Sequence, residues 1–528
     1  MKSLVTMPAK RYAIFAVVLL SAAAVASAQG HDVVEPTGGR SIVAGLEYDV
    51  EMQSSVSHNN TPLWLNANKY GLSSLRSFNG YVRAAVERPL AADSSRRWAL
   101  GYGVDVVAPL HYTSNFIVQQ AYAEGRWLHA TLTVGSRQYA MELKNNVLSS
   151  GSQTLGINAR PVPQVRLALP EYWGLPLTKG WVGFKGHLAY GIMTDDSWQH
   201  DFTSRQSKYA DNVLWHSKAG YLKIGDEKRY GAFTLELGLE MASLFGGTPY
   251  RNVDGKMTAV TPERGFKAFW HAFVPGGADA GETLYTNIAG DMVGSWLVRL
   301  NYDTPNLGLH LYGDKFFEDH SGMFLLDYDG YGKGDEWQEK KDRRFLVYDL
   351  KDMMLGLELN LKNGTWLRNM VLEYIYTKYQ SGPVYHDHTA ALPDHVAGLD
   401  NFYNHYVYPG WQHWGQVIGN PLYRSPIYNT DGTIEVKDSR FMAFHLGIDG
   451  APSARFAYRA LATWQEGLGT YHHPYTKKHH NVSLMLEGTC KLRHNWTLKG
   501  AYGMDFGHIL GSNAGFQLTV SKHGLLKR

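Results

Sequence analysis

Hydrophobic and polar residues alternate along most of the chain. Between residues 42 and 52 an apolar side chain occupies every second position, and Glu47, Asp49 and Glu51 lie between them. The same period of two recurs at 98–106, 233–241, 355–361, 456–464 and 516–521. Because successive side chains of a β-strand point to opposite faces, each segment is predicted to be a strand with one apolar and one polar face.

The pattern predicts about eighteen such strands. They fall at 42–52, 79–88, 97–107, 117–127, 130–138, 161–169, 181–193, 217–225, 233–241, 295–303, 307–316, 353–361, 369–379, 441–449, 454–465, 482–490, 497–506 and 515–522. Many have about 9 to 11 residues, the length that a tilted strand needs to cross a bilayer. Tyr and Trp cluster at their ends, as in the interfacial girdles of membrane barrels. A transmembrane antiparallel β-barrel is therefore favoured over a soluble sandwich or propeller with the same alternation.

The connections between the predicted strands fall into two classes. Those after even-numbered strands are short, such as 128–129 and 304–306. The longest connections follow odd-numbered strands, at 53–78, 194–216, 242–294, 317–352 and 380–440. Short periplasmic turns and long extracellular loops are typical of outer-membrane barrels. With the N-terminus in the periplasm, the long connections are predicted to lie outside the cell.

The polar faces carry charges of both signs, which we predict to point into the lumen. They are Glu47, Arg83, Glu87, Glu124, Arg126, Arg166, Lys185, Glu236, Glu240, Arg299, Glu358, Glu373, Arg455, Arg459, Lys499 and Asp505. Such a lining suits an aqueous conduit. It also suits a cross-braced interior that fills the barrel, and the balance of signs favours this second interpretation.

The N-terminal 28 residues have the layout of a secretory signal peptide. Three basic residues precede or begin an apolar run, and Ala26-Ser27-Ala28 offers a cleavage site. The predicted organisation is a signal peptide at 1–28 and one barrel domain at 29–528, located in the outer membrane. Removing the signal peptide lowers the formal charge from +3 to neutral, which argues against a nucleic-acid binder. The single cysteine, Cys490, excludes a disulfide framework.

The predicted outer connections contain two candidate binding segments. Residues 402–414 hold six aromatic side chains and several amides, a composition that suits sugar rings with apolar faces and polar edges. Residues 335–344 are the most charged stretch, and their basic end could pair with an acidic polysaccharide. The candidate polysaccharide-binding residues are Tyr403, Tyr406, Tyr408, Trp411, Trp414, Trp337, Arg343 and Arg344. The alternatives are a loop that packs its own aromatics over the barrel mouth and a merely solvated charged loop.

No catalytic or cofactor motif stands out in the sequence. The histidine pairs at 386–388, 472–473 and 479–480 could bind metal, but solvated loop histidines explain them better. Neither a nucleophile nor a carboxylate pair can be singled out among so many polar residues. We therefore predict no catalytic residue, no metal site and no cofactor.

Several segments resemble a known family. They are residues 148–173, 186–199 and 217–247, and the most specific parts are Asn158-Ala159-Arg160-Pro161 and residues 238–243. They resemble the Wzi family of outer-membrane capsule-assembly proteins, in its Bacteroides-type form, from about residue 40 to the C-terminus. The resemblance implies an 18-stranded, non-enzymatic barrel that binds surface polysaccharide as a lectin does. It also implies a small helical element at the periplasmic end, for which residues 62–71 are the candidate. These residues lie in connection 53–78, however, and the alternation of short and long connections places that connection outside the cell.

The predicted function is binding of capsular or extracellular polysaccharide and its attachment to the cell surface. The expected partners are that polysaccharide, outer-membrane lipid and a separate polysaccharide export channel, and the expected state is a monomer. Two alternatives remain open at this point. One is a diffusion channel for oligosaccharides, and the other is an outer-membrane hydrolase of glycan or lipid.

Overall fold

The structure is a computed structural model of the 528-residue chain. It describes residues 42–93, 97–225, 232–274, 290–318, 325–327, 334–336, 338–339, 344–346, 352–386 and 395–526. The predicted signal peptide lies outside these residues.

Eighteen antiparallel strands form one closed barrel. They are β1 Glu47–His58, β2 Phe78–Arg88, β3 Trp98–Leu110, β4 Ile117–Trp127, β5 Ala130–Ser136, β6 Gln164–Gly174, β7 Val182–Ile192, β8 Leu214–Ile224, β9 Phe233–Phe245, β10 Asp291–Asp303, β11 Leu307–Glu318, β12 Met353–Leu361, β13 Asn369–Tyr376, β14 Phe441–Gly450, β15 Phe456–Gly469, β16 Pro474–Lys491, β17 Trp496–Gly507 and β18 Asn513–Leu525. Each strand pairs with its sequence neighbour, and β1 closes the barrel on β18, with Glu47 opposite Leu525. The predicted fold class is confirmed, and every predicted segment overlaps one of these strands.

The short connections lie at one end of the barrel and the long connections at the other, as the sequence pattern predicts. At the end where β1 begins and β18 finishes, no connection is longer than residues 89–97. The opposite end carries 59–77, 137–163, 193–213, 246–290, 319–352 and 377–440. By the barrel rule the first end faces the periplasm and the second faces outward. We call them the periplasmic end and the outer end.

The outside of the barrel is an apolar surface. Leucine and valine side chains that point away from the lumen are exposed on every part of the wall, among them Val104, Leu132, Leu311, Leu446 and Leu486. Aromatic residues flank this belt at both ends. At the periplasmic end they are Trp98, Trp127, Trp181, Tyr302 and Trp496, and toward the outer end they are Trp296, Tyr374, Tyr376, Trp464 and Phe506. A belt of this kind is stable only in contact with lipid, so the barrel spans a membrane. Among the described residues, no helix is both long enough and apolar enough to span a membrane.

The outer connections contain short helices and short strands. The helices are α1 Leu63–Asn66, α2 Asp196–Thr203 and α3 Gly265–Phe273. Strands Tyr209–Asp211, Thr248–Val253 and Lys256–Ala259 form a small sheet, and Gln412–His413 pairs with Gln416–Val417. Two further strand pairs, Leu325–Asp327 with Arg344–Leu346 and Ser381–His386 with His395–Leu399, lie in the longest connections.

Helix α1 corrects one expectation from the resemblance. It lies in the candidate segment 62–71 but follows β1, so it enters the lumen from the outer end and not from the periplasm. Inside the barrel the Leu63 amide donates to Asp505 at 3.1 Å, and the Trp64 indole donates to Thr463 at 3.1 Å. The alternation of short and long connections therefore predicted the correct end of the barrel for this segment. The helical element enters the lumen from the outer end.

Charged residues in the lumen pair with residues one or two strands away along the wall. Ion pairs join Arg83 to Asp105 at 2.6 Å, Arg299 to Glu358 at 2.7 Å and Arg459 to Glu487 at 3.1 Å. These contacts tie neighbouring strands together and do not cross the lumen, so for these charges the cross-braced interior stays a prediction. Near the periplasmic end, lumen-facing side chains such as Asp49 and Lys499 are partly exposed, so this half of the lumen is open to water.

Candidate functional site

The connection between β5 and β6 crosses the lumen. We call residues 139–160 the crossing segment. Lys144 forms a buried ion pair with Asp314 of β11 at 2.6 Å. Farther along, the amide of Ser150 donates to Glu373 of β13 at 2.8 Å, and the hydroxyl of Thr154 lies 2.8 Å from that of Ser295 in β10. The crossing segment is therefore held by lumen-facing polar groups of several strands on the far wall.

Small residues let the crossing segment pack tightly. Ser150, Ser152 and Thr154 have no exposed surface, so protein surrounds them on all sides. Gly447 of β14 faces this segment, and a β-carbon there would lie 2.3 Å from the carbonyl oxygen of Leu148. A larger residue at position 447 would thus push the segment away from the wall.

A second piece of chain enters the lumen from the long β13–β14 connection. We call residues 401–440 the inner loop. The indole of Trp411 stacks on Trp215 of β8 with 5.2 Å between ring centroids, and its Nε1 donates to the Thr154 carbonyl at 3.1 Å. The amide side chain of Asn420 also donates to the Ser150 hydroxyl at 3.1 Å. The inner loop and the crossing segment therefore form one packed unit, which we call the plug.

This packing corrects three of the predicted sugar-contacting residues. Tyr403, Tyr408 and Trp411 each have 0% exposed surface. The Tyr403 hydroxyl donates to the Gln153 carbonyl, and the Tyr408 hydroxyl donates to the Gly246 carbonyl at 3.0 Å. These three aromatics hold the plug together, as in the alternative of a loop that packs its own side chains. They offer no face to a sugar in this structure.

Tyr406 from the same loop remains accessible, with 48% of its surface exposed. The guanidinium of Arg251, from the β9–β10 connection, lies over its ring at 3.8 Å and donates to its hydroxyl. The neighbouring Tyr250 stacks on Tyr209 at 4.6 Å. We call Tyr250, Arg251 and Tyr406 the rim patch. It combines an exposed aromatic ring with a cation at the outer end of the barrel.

Trp414 is partly exposed and belongs to a second aromatic–cation pair. The Arg160 guanidinium lies 4.2 Å from the Trp414 ring, while the indole donates to Thr194 at 3.2 Å. Burial lowers the pKa of Arg160 to about 10, and the carboxylate of Asp195 partly offsets this. Burial also lowers the pKa of the adjacent His413 imidazole, so this ring is neutral at physiological pH. The positive charge beside the Trp414 ring at that pH is therefore carried by Arg160 and not by His413.

The predicted basic segment is only partly described. Trp337 and Arg343 lie outside the described residues, and Arg344 begins a short strand, Arg344–Leu346. The role of this segment as a sugar contact stays a prediction. Sequence reasoning missed Arg251 and Tyr250, because no local motif marks them. Tyr406, the partner of Arg251, is 155 residues away.

Within the described ranges, no cluster of three or more His, Cys, Asp or Glu side chains could hold a metal ion. His473 instead lies 3.3 Å from Glu435, and His479 stacks on Tyr475 at 4.0 Å. His386 ends a short strand, and His388 falls outside the described part of the chain.

A search of protein-family models finds no match, and no curated protein matches the sequence. Among solved structures, the chain is similar to Wzi of Escherichia coli, described as an outer-membrane, carbohydrate-binding β-barrel involved in group 1 capsule assembly. That similarity has a TM-score of 0.54 at 12% identity and covers 92% of this chain and 86% of Wzi. OccK3 of Pseudomonas aeruginosa matches with a TM-score of 0.43 at 10% identity, over 92% and 97% of the two chains. The likeness to Wzi shows the fold alone: this chain is an 18-stranded barrel of the outer-membrane type.

Proposed function

We propose that this protein binds capsular or extracellular polysaccharide at the outer end of its barrel and holds it on the cell surface. The observation that carries the proposal is the plug, which fills the outer half of the lumen with polypeptide and leaves the ring of Tyr406 exposed and Arg251 partly exposed at the outer mouth. The proposal includes membership of the Wzi family, a monomeric state, and delivery of the polymer by a separate export channel. It includes no catalytic step.

The filled lumen argues against the diffusion-channel alternative. Each of the three inserted pieces bonds to a lumen-facing group on a different strand: helix α1 to Asp505, the crossing segment to Glu373, and the inner loop, through the Leu422 carbonyl, to Gln465. A barrel of 18 strands is wide enough for an aqueous channel only when its interior is left empty. Polymer must then be bound outside the barrel and not passed through it.

The outer mouth carries groups that suit acidic sugars. Aromatic rings such as Tyr406 stack on the apolar faces of sugars, while guanidinium groups pair with carboxylates in a bidentate geometry. Arg251 lies over the exposed ring of Tyr406 and can supply such a cation. Trp414 is a partly exposed ring, while Arg160 beside it is buried and donates to Thr113 and Ser114. Both pairs come from connections at the outer end. The description of Wzi as a carbohydrate-binding barrel supports the same use of this end.

The rim patch gives a direct test. We expect Arg251→Ala combined with Tyr406→Ala to weaken binding of polysaccharide purified from the encoding bacterium by about tenfold or more, since each lost contact of this kind is worth about 1 kcal/mol or more. Binding of the purified barrel to immobilised polysaccharide would measure this.

A matched aromatic–cation pair at the periplasmic end supplies the control. The Lys522 ammonium lies 5.4 Å from the Trp496 ring, and Trp496→Ala with Lys522→Ala should leave the affinity unchanged. Equal affinity of the rim variant and the native protein would remove the rim patch from the proposal. Absence of polysaccharide binding by the native protein would overturn the proposed function.

A further inference from the structure

Helix α3 lies on the outside of the barrel wall, not in the lumen. Its small residues Ala268 and Ala272 are buried together with Phe245. Phe245 occupies the lipid-facing side of β9, because the residues of β9 that alternate with it, such as Glu240, face the lumen. The hydroxyl of Tyr190, on the lipid-facing side of β7, donates to the Phe269 carbonyl at 3.0 Å. The helix is thus held against the outer third of the wall, at the level where the membrane surface meets water.

The helix has three distinct faces. Ala268 and Ala272 contact the wall. A stripe at spacing i, i+3, i+4 and i+7 carries four large exposed aromatics, Phe266, Phe269, Trp270 and Phe273, and the first of them is 82% exposed. Lys267 and His271 lie on the remaining face, where both contact Glu263, at 3.0 and 2.6 Å. This spacing makes the helix amphipathic. Phe269 and Phe273 contact wall rings at one edge of the stripe, and Phe266 and Trp270 are its more exposed members.

We propose that helix α3 lies flat in the outer leaflet of the membrane, with its aromatic stripe among the acyl chains of the outer-leaflet glycolipid. The stripe continues the lipid-facing belt of β7 to β9, an interface that the barrel already has. An exposed group of four large aromatics is unfavourable in water but typical of helices at a membrane interface.

The charges around the helix fit anionic headgroups. Arg264 precedes the helix, Lys267 lies on its water-facing side, and both are exposed. Lys218, on the lipid-facing side of β8, donates to the last helical carbonyl, that of Phe273, and stabilises the negative end of the helix dipole there. Cations at the depth of the headgroups attract phosphate, so a phosphate-bearing glycolipid matches this surface better than a neutral lipid.

This placement has a consequence for the β9–β10 connection. The same connection carries Arg251 of the rim patch near its start. Anchoring its middle in the membrane would hold it beside the barrel mouth and keep the mouth open to large ligands. The inference does not depend on what the mouth binds.

Spin labels at single cysteines test the proposal. In a Cys490→Ser background, labels would be placed by Phe266→Cys, Lys267→Cys and Leu486→Cys, the last as a reference in the lipid belt, where Leu486 is exposed. The protein would be reconstituted in vesicles that contain purified phosphorylated outer-membrane glycolipid. We expect the label at 266 to be shielded from a water-soluble nickel relaxant and accessible to oxygen, as at 486, and the label at 267 to remain accessible to nickel.

Two outcomes would overturn the proposal. A label at 266 that is as accessible to nickel as the label at 267 would place the helix in water. If Arg264→Glu with Lys267→Glu left the shielding at 266 unchanged in the same vesicles, the headgroup contact would be refuted. The heat-dependent gel mobility of each variant shows that its barrel is folded, so loss of folding cannot be mistaken for either result.

Discussion

Replacing residues 144–156 with glycine and serine, at unchanged length, is expected to turn the closed barrel into a conducting channel. This replacement removes the side chains of Lys144 and Thr154, and with them the ion pair to β11 and the hydroxyl contact with β10. The more flexible backbone also no longer holds the amide of residue 150 on Glu373 of β13. The same flexibility leaves the carbonyl of residue 154, which accepts the Trp411 indole, without a fixed position. An 18-stranded barrel without its filling leaves an aqueous channel, so single-channel conductance in planar bilayers should rise by about tenfold or more.

A same-length replacement outside the lumen controls for general disturbance. Residues 248–260 include the hairpin of Thr248–Val253 and Lys256–Ala259 and lie outside the crossing segment and the inner loop. Arg251 in this hairpin contacts the inner loop at the exposed Tyr406. Their replacement should leave conductance at the native level. If the native protein already conducts as an open porin does, and the plug variant conducts no better, the closed-lumen account is wrong.

Lys144→Met is expected to destabilise the folded barrel by about 3–5 kcal/mol, because it leaves a buried carboxylate without its cation. The ammonium of Lys144 and the carboxylate of Asp314 are 2.6 Å apart, with side-chain exposures of 1% and 0%. Asp314 also accepts the amide of Gln153 at 3.2 Å, so the variant disturbs the crossing segment at two points. Urea unfolding in detergent, followed by gel mobility, would measure the loss.

Two variants separate the ion pair from other effects. Adding Asp314→Leu to Lys144→Met should recover part of the stability, because it removes the unpaired charge. Lys267→Met breaks an exposed pair with Glu263, whose lysine is 70% exposed, and should change stability by less than about 1 kcal/mol. Similar losses for Lys144→Met and Lys267→Met would show that the buried pair does not anchor the plug.

The strands could be predicted from the sequence because the two faces of the barrel wall contact different environments. Lipid on one side and a polar lumen on the other impose a period of two on every strand. The boundaries failed where that contrast fades. Strand β16 extends to Pro474, eight residues before the predicted start, because residues 474–481 are polar on both faces beyond the membrane. Strand β1 begins and ends about five residues later than predicted for the same kind of reason. Its last five residues, Ser54–His58, are mostly polar.

The site was harder to predict because its composition fits two structures. An aromatic loop suits sugars at a surface and also suits a packed interior. The difference lies in distant partners: Trp215 and Thr154 bury Trp411, and Gly246 accepts the hydroxyl of Tyr408. No spacing in the sequence joins these residues. The sequence therefore located the important loop, but the fold decided which of its rings stay accessible.

The most direct test of the proposed function compares cell-bound with released polysaccharide when the gene is deleted from the encoding bacterium. We expect total polysaccharide to stay at the native level while most of it moves from the cell surface to the medium, and expression of the native protein should reverse this shift. Loss of synthesis or export in the deletion strain, or normal attachment without the protein, would contradict the account.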